Sequence, residues 1–152
     1  PLLSDYYGKG EQASLRKTVK LGVGTSLVLA ALVIVVMYLF AEPVTAVFNK
    51  EKNAELAAYA VTGLKLYFIG FAFAGFNIVG TGILSAAESA KRAFIASVSR
   101  GFVAIILCAF VLSALMGMNG VWLAFPAAEF LTSVLVVLAF ARTFGGKKVK
   151  NK

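Results

Sequence analysis

Arg100, Glu129 and Asn77 are the residues of this sequence best placed to do chemistry, because each lies within a long apolar run. Holding an arginine or a carboxylate near the centre of a membrane helix costs roughly 2.5 to 3.5 kcal/mol, so such residues face the protein interior, find a partner, or mark an ion pathway. Arg100 and Glu129 therefore form a candidate intramembrane charged pair. Two simpler roles stand beside that one. Arg100 can snorkel to the membrane surface along its apolar stem, and Glu129 can serve as a structural hydrogen-bond acceptor. Asn77, with Thr81 one turn on, offers an amide and a hydroxyl to a neighbouring helix or to a substrate, and both are candidate cavity residues. Hydrolytic chemistry has no support: the chain has no His and a single Cys, Cys108. This removes Ser-His-Asp and Cys-His catalysis, Cys/His zinc sites and an intrachain disulfide. No enzyme activity, metal site or cofactor is expected.

The elements that must position these groups are transmembrane helices. The 152 residues are 60% hydrophobic and 14% charged, with a mean hydropathy of +0.86. A spanning helix needs about 20 apolar residues to cross a core of about 30 Å. Residues 21–41 and 66–87 qualify directly, the first ended by Glu42-Pro43 and the second bounded by Lys65 and Glu88. The charge-free stretch 101–128 is too long for one crossing and contains Met116-Gly117-Met118-Asn119-Gly120, a helix-stopping turn. It divides into a hairpin with helices over about 93–115 and 121–141. The expected fold is an all-α, polytopic integral membrane bundle of four helices, flanked by a cytoplasmic loop over 1–20 and a basic cytoplasmic tail over 142–152.

Charge sets the orientation. The net charge of +8 does not indicate nucleic-acid binding, because the cations sit between apolar runs rather than on one folded face. Four spans place Lys9, Arg16, Lys17, Lys20, Lys91, Arg92, Arg142, Lys147, Lys148, Lys150 and Lys152 on one side. Lys50, Lys52 and Lys65 lie opposite, offset by Glu42, Glu51 and Glu55. Lys and Arg are retained in the cytoplasm, so both ends of this chain are expected there, in the cell membrane. A three-span arrangement would put the basic tail outside. Pro1-Leu2-Leu3-Ser4 reads as the end of an earlier helix and Tyr7-Gly8-Lys9-Gly10 as a turn, so the chain is expected to be part of a longer membrane protein.

Each helix carries one small or polar face. On the second, Gly70, Ala74, Asn77, Thr81 and Ser85 fall on one stripe, with Phe68, Phe71 and Phe76 mostly elsewhere. Gly22, Ser26 and Ala30 do the same on the first, Ser97, Arg100, Gly101 and Ala104 on the third, and Pro126, Glu129 and Ser133 on the fourth. Small residues let backbones approach in lipid, so the second stripe reads either as a packing seam or as a cavity wall. Pro126 should kink the fourth helix near its outer end, by clashing with the Trp122 carbonyl. Trp122 reads as an interface anchor. Because a short turn makes the third and fourth helices antiparallel neighbours, Arg100 and Glu129 should differ in depth by only about 8 Å. A long arginine side chain closes most of that gap, directly or through water.

Four stretches resemble the C-terminal part of the multidrug and toxic compound extrusion (MATE) transporters. Pro1-Leu2-Leu3-Ser4 with Tyr6-Tyr7-Gly8 looks like the segment after the family's eighth helix, and Gly75-Phe76-Asn77-Ile78-Val79 like its tenth. Ser97-Val98-Ser99-Arg100 resembles the eleventh, and residues 120–129, Gly-Val-Trp-Leu-Ala-Phe-Pro-Ala-Ala-Glu, the start of the twelfth. The resemblance implies helices nine to twelve of a twelve-helix antiporter. Its implied function is secondary active efflux of amphiphilic, often cationic drugs against Na+ or H+, by alternating access between two six-helix lobes. The implied partners are membrane lipid, small-molecule drugs and the N-terminal lobe of the same protein. Some members carry a coupling carboxylate on the tenth helix; residues 66–87 have no Asp or Glu, so no coupling-ion site is assigned in this chain. The alternatives are a lipid-linked oligosaccharide flippase of the same superfamily, whose pyrophosphate would favour a cationic cavity, and a stand-alone four-helix membrane binding or assembly subunit.

Overall fold

The computed structural model describes residues 2–87 and 90–144. Among them every regular element is a helix: α1 (Leu2–Gly8), α2 (Gln12–Phe48), α3 (Ala54–Phe68), α4 (Phe71–Ala86), α5 (Ala90–Val98), a π-helical segment (Ser99–Ala104), α6 (Ile105–Met116) and α7 (Met118–Phe144). Four helical stretches of the described residues are long and apolar enough to cross a membrane: Gln12–Phe48, Ala54–Ala86, Ala90–Met116 and Met118–Arg142. Large apolar side chains cover the outside of the bundle as well as its interior, unlike a water-soluble bundle. Phe110 and Leu115 are each 75% exposed, while Asn77 and Thr132 are among the largest fully buried side chains. Hydrocarbon outside and small or polar contacts inside are what a lipid solvent selects. The chain is an all-α, multi-pass membrane protein.

Helix ends fall where backbone chemistry changes, and several differ from those expected from hydropathy. The first helix does not end at Glu42-Pro43; α2 runs on to Phe48. Proline forfeits one bond, to the Leu39 carbonyl, and without water as a competitor the remaining bonds hold the helix together. It stops at Asn49, whose N–H reaches the Thr45 carbonyl at 3.0 Å. Asn49 and Asn53 then lock the connecting loop reciprocally: Asn49 Nδ2 donates to the Asn53 carbonyl (2.8 Å), and the Asn53 N–H donates to Asn49 Oδ1 (3.1 Å). Asn53 also caps the next helix, its Oδ1 accepting from the N–H groups of Glu55 and Leu56. With that cap and Glu55 in the first turn, where a negative charge meets the helix dipole, the second span begins at Ala54 rather than at residue 66. Lys65 lies inside it.

The second span is interrupted once, at Ile69 and Gly70. Three-residue hydrogen bonds tighten the chain there, from Gly70 to Tyr67, Ala72 to Ile69 and Phe73 to Gly70. Both residues keep right-handed helical dihedrals, so the axis continues. The hairpin between the third and fourth spans is shorter than the five-residue turn expected. Only Gly117 is non-helical, at φ 59° and ψ −134°, a conformation open to glycine. Met118, Asn119 and Gly120 already belong to α7.

At the chain ends, residues 2–8 form α1 and Arg16, Lys17 and Lys20 lie on α2, so the segment 1–20 is mostly helix rather than loop. Arg142 is still helical; Pro1, Glu88 and the tail cations Lys147, Lys148, Lys150 and Lys152 lie outside the described residues.

Packing follows small residues. α6 and α7 meet through a core of Ala104, Cys108, Ala124 and Ala128. At its tip, Gly120 lies so close to the Leu112 carbonyl that a Cβ would overlap it. α2 crosses α4 in antiparallel fashion: a Cβ on Gly22 would sit 3.3 Å from Val79, and one on Gly75 would sit 3.2 Å from the Ser26 carbonyl. The second and fourth spans run parallel. Gly63 faces the Trp122 ring, Gly70 faces Phe125 and Pro126, and Gly80 faces Val136. This parallel contact builds the polar centre.

Candidate functional site

Halfway along the parallel contact, Asn77 of α4 meets Glu129 and Ser133 of α7. Asn77 Nδ2 donates to Glu129 Oε2 at 2.7 Å and to the Glu129 main-chain carbonyl at 2.8 Å. Ser133 Oγ in turn donates to Asn77 Oδ1 at 3.0 Å and lies 3.0 Å from the Glu129 carbonyl, its acceptor one turn back. These bonds fix which end of the amide is which: the nitrogen must face the carboxylate and the oxygen the hydroxyl. Asn77 is 0% exposed and Glu129 is 4% exposed. A buried carboxylate needs donors, and an amide donating to it makes a charge-assisted bond, stronger than a neutral one.

The third span supplies the cation. Arg100 is the second residue of the π-helical segment, and its Nε lies 3.8 Å from Glu129 Oε1. That separation is an ion pair without a hydrogen bond, and the arginine side chain remains 30% exposed. The structure thus brings Arg100 and Glu129 together, with the close grip on the carboxylate coming from Asn77. A π-helical turn holds one more residue than an α-helical one and is frequent at functional sites. Here it alters the inward face of the third span: Ala93, Ala96, Ala104 and Cys108 are buried, and Ser97 and Gly101 are exposed, contrary to the stripe expected for that helix.

Thr81 stands apart from this network. It is only partly buried, and its hydroxyl donates to the Asn77 and Ile78 carbonyls of its own helix, at 2.8 and 3.1 Å. Beyond Asn77 the buried face passes through Gly80, Leu84 and Ala87, with Ser85 exposed. The seam therefore follows three- and four-residue steps, as knobs-into-holes packing does, and leaves the expected line at Thr81. Thr132 is fully buried, and its hydroxyl donates to the Ala128 carbonyl at 2.9 Å.

Pro126 is buried against Gly70, with its Cα 3.1 Å from the position of a Cβ there. α7 continues as helix through it, and the interruption lies across the contact at Ile69 and Gly70. Trp122, expected as an interface anchor, is half-buried on the first turns of α7. Its ring covers Gly63, and its Nε1 is buried without an acceptor.

Around the interruption the rings of Tyr67 and Phe125 stack at 4.4 Å, those of Phe68 and Phe71 stack at 4.8 Å, and Phe71 meets Phe125 at 5.9 Å. Phe125 is one helical turn from Glu129, so aromatic faces and a carboxylate occupy neighbouring levels of one helix contact. This aromatic cluster and the Asn77–Glu129 clamp were not anticipated from sequence. One register serves the whole contact: the offset of 56 residues between Asn77 and Ser133 recurs for Gly70 with Pro126 and Gly80 with Val136.

Residues 1–110 match the model of the MatE family. The match includes Asn77 and Arg100, and Glu129 lies beyond it. No curated protein and no solved structure gives a significant match.

Proposed function

The chain belongs to the MatE family of membrane transporters, and from that premise we propose that it forms part of the second lobe of a secondary active exporter. The exporter moves amphiphilic, often cationic compounds outward against Na+ or H+ by alternating access, with the opposing lobe supplied by the same protein. The observation that carries this reading is the buried Glu129 carboxylate, clamped by Asn77 and faced by Arg100 at 3.8 Å. Intramembrane ionisable groups mark substrate and ion pathways. Aromatic faces one turn away suit the apolar body of an amphiphilic cation and attract its charge. A flippase for a pyrophosphate-linked lipid would call for cations at liberty to meet phosphate, whereas Arg100 stands beside a carboxylate.

Efflux from cells or vesicles containing the full-length protein tests the reading. A fluorescent organic cation should leave against its gradient when an inward Na+ or H+ gradient is imposed, and Glu129→Gln should remove that transport while the folded protein is still recovered. Transport of the dye at the same rate with both gradients collapsed would overturn coupled export.

A further inference from the structure

α2 turns two different faces in opposite directions. Gly22 and Ser26 lie against α4. On the other side Arg16, Lys17 and Lys20 cluster near the start of the helix, and Leu21, Gly24 and Val28 continue the same face at helical spacing. Two shallow troughs run along it, of about 620 and 570 Å³, and Lys17 and Lys20 line both. The first is lined by all three cations; the second leads from the lysines past Leu21 and Gly24 to Val28 and Leu29. No carboxylate lines either trough among the described residues. At Gly24 a Cβ would meet nothing within 4 Å, so the missing side chain leaves a notch in the middle of the apolar stretch.

The dimensions match one lipid leaflet. From Lys20 to Leu29 the helix rises roughly 14 Å at about 1.5 Å per residue, close to half of a hydrocarbon core of about 30 Å. The cations then stand at headgroup level, where near-surface Lys and Arg attract anionic lipid, and the notch lies at acyl-chain depth. We propose that this face of α2 is a binding site for an anionic phospholipid: its phosphate meets Arg16, Lys17 and Lys20, and one acyl chain lies along Leu21, Gly24 and Val28. Charge complementarity selects the occupant. Three cations with no lining carboxylate repel the ammonium of a zwitterionic headgroup and favour a phosphate with no compensating amine.

The full-length transporter, reconstituted in phosphatidylcholine vesicles with and without phosphatidylglycerol, tests the site by native mass spectrometry after mild extraction and by thermal unfolding. Wild-type protein should retain phosphatidylglycerol and unfold at a higher temperature in its presence. Lys17→Gln with Lys20→Gln should lower retention by about thirtyfold, from about fivefold for each near-surface cation. Gly24→Phe fills the notch, keeps every cation and therefore keeps the orientation signal; it should lower retention as well. Glycerol 3-phosphate added to phosphatidylcholine vesicles should not reproduce the thermal shift. Three results would overturn the proposal: no phosphatidylglycerol retained by the wild type, so that another segment of the protein covers this face; equal retention by wild type and the lysine variant; or undiminished retention by Gly24→Phe, which leaves only a diffuse basic surface.

Discussion

One amide of α4 holds both the side chain and the backbone of a single residue on α7: Asn77 Nδ2 is 2.7 Å from Glu129 Oε2 and 2.8 Å from the Glu129 carbonyl oxygen. The second and fourth spans are thereby pinned at one depth, since a slide of either along the other breaks both bonds together.

Asn77→Leu should therefore lose folded yield and efflux together. The substitution takes the close donor from a buried carboxylate, at a cost of about 1 to 3 kcal/mol, while the Ser133 hydroxyl keeps the Glu129 carbonyl as its acceptor. Adding Glu129→Leu should restore part of the yield, because removing both partners leaves no buried acceptor unmet. The check is detergent-solubilised monodisperse protein recovered from each variant. Normal recovery of Asn77→Leu with efflux alone impaired would assign Asn77 to substrate contact instead.

Arg100→Leu should be milder. Its guanidinium is partly exposed and lies 3.8 Å from Glu129 without a hydrogen bond, so a coupling of about 1 kcal/mol is expected, as for partly exposed ion pairs. A double-mutant cycle of Arg100→Leu and Glu129→Leu, scored by thermal unfolding, measures it. Strict additivity would reduce Arg100 to a snorkelling residue.

Glycines should divide sharply into two groups. Gly120→Ala places a methyl against the Leu112 carbonyl, backbone against backbone, and should abolish recovery of folded protein. Gly82→Ala meets nothing within 4 Å and should be neutral or slightly stabilising, by up to about 1 kcal/mol from helix propensity. Equal tolerance at both positions, read by thermal unfolding, would contradict the close approach of α6 and α7.

Orientation is open to cysteine labelling in the full-length protein, with Cys108 buried and contributing little background. Lys52→Cys and Asn119→Cys, both exposed, should react with an impermeant maleimide from outside, and Lys148→Cys only after permeabilisation. Outside labelling at position 148 would invert the arrangement derived from the positive charges.

The spans themselves were legible because a run of apolar residues reports directly on the solvent around a helix. Their ends were less so. Hydropathy changes at Lys65, but the backbone begins its helix at Asn53, whose side chain satisfies two N–H groups; capping chemistry set that boundary. Pro43 looked like a terminus because proline breaks helices in water, where freed carbonyls find another donor. Arg100 and Glu129 stood out by charge, and their proximity followed from the hairpin. The partnership of Asn77 with Glu129 depends on the register between two spans far apart in sequence, which neither stripe contains alone. The two stripes meet only when the second and fourth spans are laid in parallel at that register. The π-helical turn has no compositional mark in Ser99–Ala104.

The single-residue link at Gly117 leaves the last two spans without slack. Joined there at one end, held backbone to backbone at Gly120 and packed along Ala104, Cys108, Ala124 and Ala128, α6 and α7 form a two-rod unit that carries Glu129. The carboxylate on that unit is met from two separate helical segments, by Asn77 of α4 and by Arg100 of the π-helical turn. A shift of the unit against α4 would therefore change one of those distances, and a shift against the π-helical turn the other.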